Sequence, residues 1–213
     1  MSKSSQWLLL TGLGVLIISP DSLLIRLVNI SDFSLIFYRS YLQAVPLFLF
    51  CLFIYRRNTL SAFLAIGIPG IVYALLFATT HIAFVYSIQH TAVSNTLVII
   101  AGAPIFSAIF SIIFLNEKPS FFTWLIIFIA LASMFIIGWG SYTTSGIFGD
   151  FMAIICAIAM GSGVVLARYF KKIDLVPACF VGCIIAGLFT LPFEIDFNLN
   201  FNQIIYLSLM CFI

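Results

Sequence analysis

The chemistry available to this chain sits in a few polar residues set inside apolar runs. The stretch LIISPDSLLIR, residues 16–26, carries Ser19, Pro20, Asp21 and Ser22 in its middle, with Arg26 just beyond. A carboxylate and hydroxyls in that setting can bind a proton, pair with a cation or hold a polar ligand. A bare carboxylate at lipid depth costs about 3 kcal/mol on insertion scales. Asp21 must therefore face inward and find a partner or a proton. Pro20 removes a backbone hydrogen bond and clashes with the preceding turn, which predicts a kink or an opening there. Carbonyls freed in this way are tolerated only against protein or a wet cavity.

Asp21 lies about 10 Å from the end of its run at 1.5 Å per residue. Arg39, in FYRS, lies five residues into the next run, which returns from the same side, so its depth is similar. Three readings stay open: a cross-helix Asp21–Arg39 pair, an Arg39 in contact with substrate, or an Arg39 that snorkels to the headgroups. In the last, Asp21 stays protonated and hydrogen-bonded to Ser19 or Ser22.

The third run carries Tyr73, Thr79, Thr80, His81 and Tyr86. An intramembrane histidine either bonds one helix to another or lines a pocket or proton relay. Asn95 and Thr96 open the fourth run from the same side and are expected to converge with His81 on one cavity. Pro104 marks a bend, moving or static. Ala103, Ser107 and Ser111 form a small-residue packing stripe, and Gly161–Ser162–Gly163 a close helix crossing. Glu117 and Lys118 read as a helix exit and loop anchor.

Composition dictates the elements that hold these residues. The chain has 213 residues, of which 63% are hydrophobic and 8% charged, with a mean hydropathy of +1.24. Soluble domains carry about 25% charged residues, so lipid must cover most of this surface. The net charge of +2 is spread over the ends of apolar runs, and nucleic acid is not an expected partner. Cys51, Cys156, Cys179, Cys183 and Cys211 lie in apolar segments and read as small packing residues. Neither a disulfide framework, a metal site nor a cofactor is expected. Lys3 followed by an apolar run resembles a signal peptide, but no small-residue cleavage site follows and the apolar character resumes at Leu23.

A bilayer core needs about 20 apolar residues per helix. Cutting at turn-forming clusters gives spans near 7–28, 34–54, 63–88, 92–115, 121–139, 150–170 and 176–193, with 202–213 begun. Lys3, Arg56, Arg57, Lys118, Arg168, Lys171 and Lys172 fall on one side, which predicts a cytoplasmic N-terminus in a multi-pass inner-membrane protein. Shifting the chain by 142 residues lays Arg26 on Arg168 and Asp32 on Asp174. Five spans precede the match, so a second unit would be inverted, as in secondary transporters. The expectation is an all-α membrane bundle of two inverted five-helix repeats, residues 1–145 and 146–213. The second is truncated, about seven and a half helices of ten.

Three segments carry a family resemblance: FYRS, HTAVSNTLVIIAGAPIFSAIFSIIFLNEKPS (90–120) and GDFMAIICAIAMGSGVVLAR (149–168). Through them the chain, from about Trp7 onward, resembles the EamA-type transporters of the drug/metabolite transporter superfamily. Where such proteins often place Trp beside a small residue in the first helix of each repeat, this chain has SPDS and AMGSG. The resemblance implies ten helices in two inverted repeats, and a permease that exports amino acids, related metabolites or toxic compounds.

The expected function is secondary transport of small organic molecules by alternating access. Asp21, Arg39, His81, Asn95, Tyr86 and Ser22 are the translocation candidates, and Pro20 and Pro104 the hinges. The expected partners are a small-molecule substrate and the lipid bilayer, with a homodimer open. A nucleotide-binding GxxxxGK[ST] loop and an HExxH zinc motif are both absent. A non-transporting or partner-completed scaffold is the alternative. An intramembrane hydrolase built on Ser162 and His81 has the wrong motif spacing, and an enzyme is not expected.

Overall fold

A computed structural model of the chain describes residues 20–117, 119–140, 146–171 and 174–212. Among the described residues every regular element is helical. Helix α1 (Asp21–Val28) turns into α2 (Asp32–Tyr55), and a 3-10 turn leads to the short α3 (Thr59–Leu64). Then come α4 (Gly67–His90), α5 (Val93–Ile100), α6 (Ala103–Leu115) and α7 (Phe121–Gly140). The last three are α8 (Ile147–Tyr169), α9 (Leu175–Thr190) and α10 (Phe201–Phe212). Four stretches are long and apolar enough to cross a membrane: Asp32–Leu64, Gly67–His90, Val93–Leu115 and Ile147–Tyr169. Phe53, Leu64, Ile68, Phe121 and Phe128 are each at least three-quarters exposed, as side chains facing lipid are.

The boundaries have local causes. Asn29 ends α1 at φ 47°, a left-handed conformation that asparagine tolerates. Ser31 then caps α2 by accepting the Ser34 N–H at 3.4 Å, with Asp32 in the favourable first turn. The third span starts at Gly67, later than the residue 63 expected, because the chain turns there at φ +57°. The fourth span is two helices rather than one. Pro104 has no N–H for the Ile100 carbonyl, and the ladder closes instead through Gly102 N to Ile99 O and Ile105 N to Gly102 O. The expected span 176–193 forms a helix of 16 residues. Ser19 and the start of the first span lie outside the described residues, and Pro20 sits at the N-cap of α1.

Polar contacts define two ends. Arg26, Asp32, His90, Asp150 and Asp196 cluster at one, here called the acidic end. Tyr55 meets Asp174, and Glu117 meets Arg168, at the other, the basic end. Helix α4 is central, packing on α8 and α9 and also on α1 and α2; α10 packs on α1 and α2, and α2 on α9. An apolar cluster of Leu24, Ile25, Val28, Leu35, Val85 and Ile88 joins α1, α2 and α4 near the acidic end.

Toward the middle, small residues take over. Ala74 and Ala78 of α4 face a set of buried Ala, Gly and Cys on α8 and α9. Where lipid tails are as apolar as leucine, such close approach supplies the attraction between helices. The expected crossing at Gly161 is present, against the start of the Ala103–Ser107 stripe. A Cβ on Gly161 would lie 2.8 Å from the Ala103 carbonyl oxygen, whereas one on Gly163 would meet only a Tyr73 ring carbon at 3.6 Å.

Replacing Gly by Ala in a helix gains about 1 kcal/mol in propensity, while overpacking costs about 1–3 kcal/mol. Gly161→Ala should therefore lower the thermal unfolding midpoint of the detergent-purified protein. Gly163→Ala should hold or raise it.

Candidate functional site

The site is built on the turn at residues 29–31. Asp21 lies seven residues before the end of α1 and Arg39 seven residues after the start of α2. Each is about 10 Å from the acidic end, so two antiparallel helices joined by a tight turn carry them to the same depth. There they form a bidentate pair: Nη1 donates to Oδ1 at 2.9 Å and Nη2 to Oδ2 at 2.8 Å. The side chains are 12% and 11% exposed, so neither charge reaches bulk water. The Arg39 guanidinium carbon lies 5.4 Å from the centroid of the Phe84 ring, a cation–π contact that strengthens with desolvation. Of the three readings open for these residues, the structure has the cross-helix pair.

One turn deeper, a second group lacks partners. His81 is three residues below Phe84 on α4, and Gln43 four residues below Arg39 on α2. The two helices run in opposite directions, so both lie about 4.5–6 Å below the ion pair. His81 Nδ1, Gln43 Oε1 and Ser40 Oγ are buried without a hydrogen-bond partner. His81 is 8% exposed, its ring 5.4 Å from that of Phe77. The Arg39 charge acts electrostatically on His81 and on Cys156 of α8. Cys156 Sγ donates to Thr80 O at 3.6 Å. Helices α1, α2, α4 and α8 thus surround one set of groups, a bidentate ion pair and three polar side chains that each have an atom without a hydrogen-bond partner.

The remaining candidates sit elsewhere. Thr96 bonds Ser87 at 2.7 Å, which places the start of α5 about 9 Å above His81 along α4. Asn95, next to Thr96 in the chain, is buried. Tyr86 belongs to an aromatic group at the acidic end, edge-on to Phe33 at 5.8 Å and stacked on His90 at 5.8 Å. His90 in turn bonds Asp32 at 2.7 Å. Ser22 is half-buried beside Asp21. Arg26 donates to the Thr91 carbonyl, while Thr91 Oγ1 donates to Asp150 at 2.7 Å.

Thr79 and Thr80 donate to the carbonyls of Leu75 and Leu76, each at 2.9 Å. Ser162 likewise donates to Ile158 O at 2.7 Å, and no hydrogen bond joins it to His81. Glu117 is an anchor, but to Arg168, at 2.9 and 3.0 Å; Lys118 lies outside the described residues. Sequence reasoning missed Ser40, Gln43 and Pro46. The signal was in FYRSYLQAVP, where Gln43 follows Arg39 by one turn and Pro46 interrupts α2.

Breaking one side of a buried pair strands the other charge at a cost of about 3–5 kcal/mol. Arg39→Leu and Asp21→Asn should each destabilise the detergent-purified protein by that order. The double variant should lose less than the sum, leaving a coupling of at least about 1 kcal/mol in a double-mutant cycle of unfolding. Additive losses would mean that the pair contributes nothing as a pair.

Comparison with known proteins places this geometry in a family. The model of the EamA-like transporter family matches residues 5–139, which is more than half of the chain. Comparisons with curated proteins and with solved structures returned no match. The matched stretch contains the turn at 29–31, the Asp21–Arg39 pair, His81 and the break before Pro104. With its long apolar helices and lipid-facing surface, this is an integral membrane protein, and the chain belongs to the EamA-like transporter family.

Proposed function

We propose that the protein is a secondary carrier that exports small organic metabolites or toxic compounds by alternating access, with the Asp21–Arg39 chamber as its substrate site. The observation that carries this reading is the juxtaposition of a desolvated ion pair with three buried polar groups lacking partners. A buried donor or acceptor without a partner costs about 1–3 kcal/mol. His81, Gln43 and Ser40 are hydrogen-bonding positions that a polar substrate completes, and Arg39 exchanges its bond to Asp21 for a bond to the substrate as the chamber opens. Ser22 and Asp21 form the α1 wall. Asn95 and Tyr86 line the route toward the acidic end rather than the binding position itself.

Two further features support the mechanism. Residues 1–145 and 146–213 are read as inverted units, with α1, α2 and α4 corresponding to α8, α9 and α10. Under that correspondence α4 on α8 matches α10 on α1, and α4 on α9 matches α10 on α2, while α2 on α9 matches itself. The family match ends at residue 139, near the boundary between the units. Pro20, Pro46 and Pro104 supply bends about which half-helices rock, and alternating access needs such joints. The basic end, with Arg56, Arg57, Arg168 and Lys171, is the cytoplasmic end in an inner membrane.

The test is efflux from proteoliposomes holding the full chain, loaded with a panel of amino acids, organic acids and amphiphilic toxicants. At least one compound should leave faster than from protein-free vesicles. Arg39→Ala and His81→Leu should each slow it about tenfold or more, and Arg57→Ala should not. The proposal fails if no compound leaves faster than the blank, or if Arg39→Ala matches the parent.

A further inference from the structure

We infer that a second polar pocket, at the basic end and apart from the chamber, binds a phosphate group carrying net negative charge. Its source is either an anionic phospholipid headgroup or free phosphate. The pocket lies between α6, the start of α7 and the last turn of α8, with a volume of about 340 Å³. Its polar walls are Ser107, Ser111, Thr123, Glu117 and Arg168. Ser111 is 4% exposed, and its Oγ is buried without a hydrogen-bond partner. Helical serines usually return such a hydroxyl to the carbonyl one turn back, as Ser133 and Ser162 do here. Ser111 keeps its donor for the cavity that it lines.

Arg168 supplies the charge. Both of its bonds to Glu117 come from the same nitrogen, Nη2, at 2.9 and 3.0 Å. Nε and Nη1 are engaged by no protein group among the described residues. Glu117 therefore holds the guanidinium in place while Nε–H and Nη1–H, which lie on different edges, each remain a single charge-assisted donor to an oxygen of an anion. The surroundings favour an anion. Lys171 follows Arg168 by three residues, and the sequence puts Lys118 next to Glu117 and Lys172 next to Lys171. Asp174, a carboxylate at the same end but not in the pocket wall, is bonded by Tyr55.

Polar groups arrive from three helices: Ser111 from α6, Thr123 from α7, whose hydroxyl is shared with Ser120 at 3.0 Å, and Arg168 from α8. A tetrahedral group with several acceptor oxygens meets such a set better than a planar carboxylate does. The pair at the mouth is half-exposed, 52% for Arg168 and 44% for Glu117. Basic side chains exposed at the cytoplasmic face of a membrane protein meet the headgroup layer.

Native mass spectrometry of the purified full chain tests this, with phosphatidylglycerol and phosphatidylcholine offered at equal concentration. Phosphatidylglycerol should be retained about tenfold more than phosphatidylcholine. Arg168→Gln should remove that preference and Ser111→Ala should weaken it several-fold, whereas Arg57→Gln, an arginine at the same end but outside the pocket, should leave it unchanged. Sodium phosphate at millimolar concentration separates the sources: if it displaces phosphatidylglycerol, the pocket accepts the soluble anion, and if it does not, the ligand is the lipid. Equal retention of the two lipids, with no effect of phosphate on the unfolding midpoint, overturns the inference. Ser111→Ala, too small a change to disturb folding, overturns it equally if that variant and Arg168→Gln both bind as the parent does.

Discussion

Charge held at lipid depth is the constraint around which this molecule is arranged. Water is not available to Asp21 or Arg39, and either alone would cost several kcal/mol. Both bonds of the pair are near-ideal in length, and that geometry depends on equal depth. Equal depth depends in turn on the three-residue connection 29–31, on a left-handed Asn29 and on the Ser31 cap. A longer connection would let the two helices slide past each other and separate the charges. The apolar cluster just above the pair, with Ile25, Val28, Leu35 and Ile36 fully buried, seals it from the acidic end.

Below the pair the packing changes character. Large aliphatic side chains give way to Ala, Gly and Cys where α4 meets α8 and α9, and a single added Cβ would lie 2.8 Å from a carbonyl oxygen at Gly182, where α9 meets α4, and at Gly161, where α8 meets α6. Close contact of this kind sets helix positions tightly, so the polar groups between the helices cannot relax onto one another. His81 and Gln43 keep open valences because their helices are held by alanines rather than by their own hydrogen bonds. Stability from small residues and readiness of polar ones are two sides of the same packing.

Much of this was legible before any coordinates. Composition set the class, and clusters such as NISDF and NEKPS set the helix ends, because turn-formers and caps act locally. The shared depth of Asp21 and Arg39 could be read by counting residues from one turn. What could not be read required knowing how far helices slide and rotate. That the Thr96 hydroxyl would bond Ser87 could not be read from two runs that merely start from one side. Tyr86 is spent on aromatic neighbours that arrive from residues 33 and 148, far away in sequence. Ser40 and Gln43 looked like incidental polar residues, since whether a hydroxyl or amide lacks a partner depends on every helix around it.

Helix α4 has its own consequence for biogenesis. Its main neighbours, α8 and α9, emerge from the ribosome some 60 to 120 residues after it. Until they arrive, Ala74, Ala78 and the Thr80 carbonyl that later receives Cys156 face lipid or insertion machinery rather than protein. The early helices can enter the bilayer in order, but the packing around the ion pair and His81 is not complete until α8 follows. A nascent chain arrested before residue 147 would thus carry Asp21, Arg39 and His81 into the membrane without the scaffold that keeps them in place, and a quality-control protease should recognise it as unfinished.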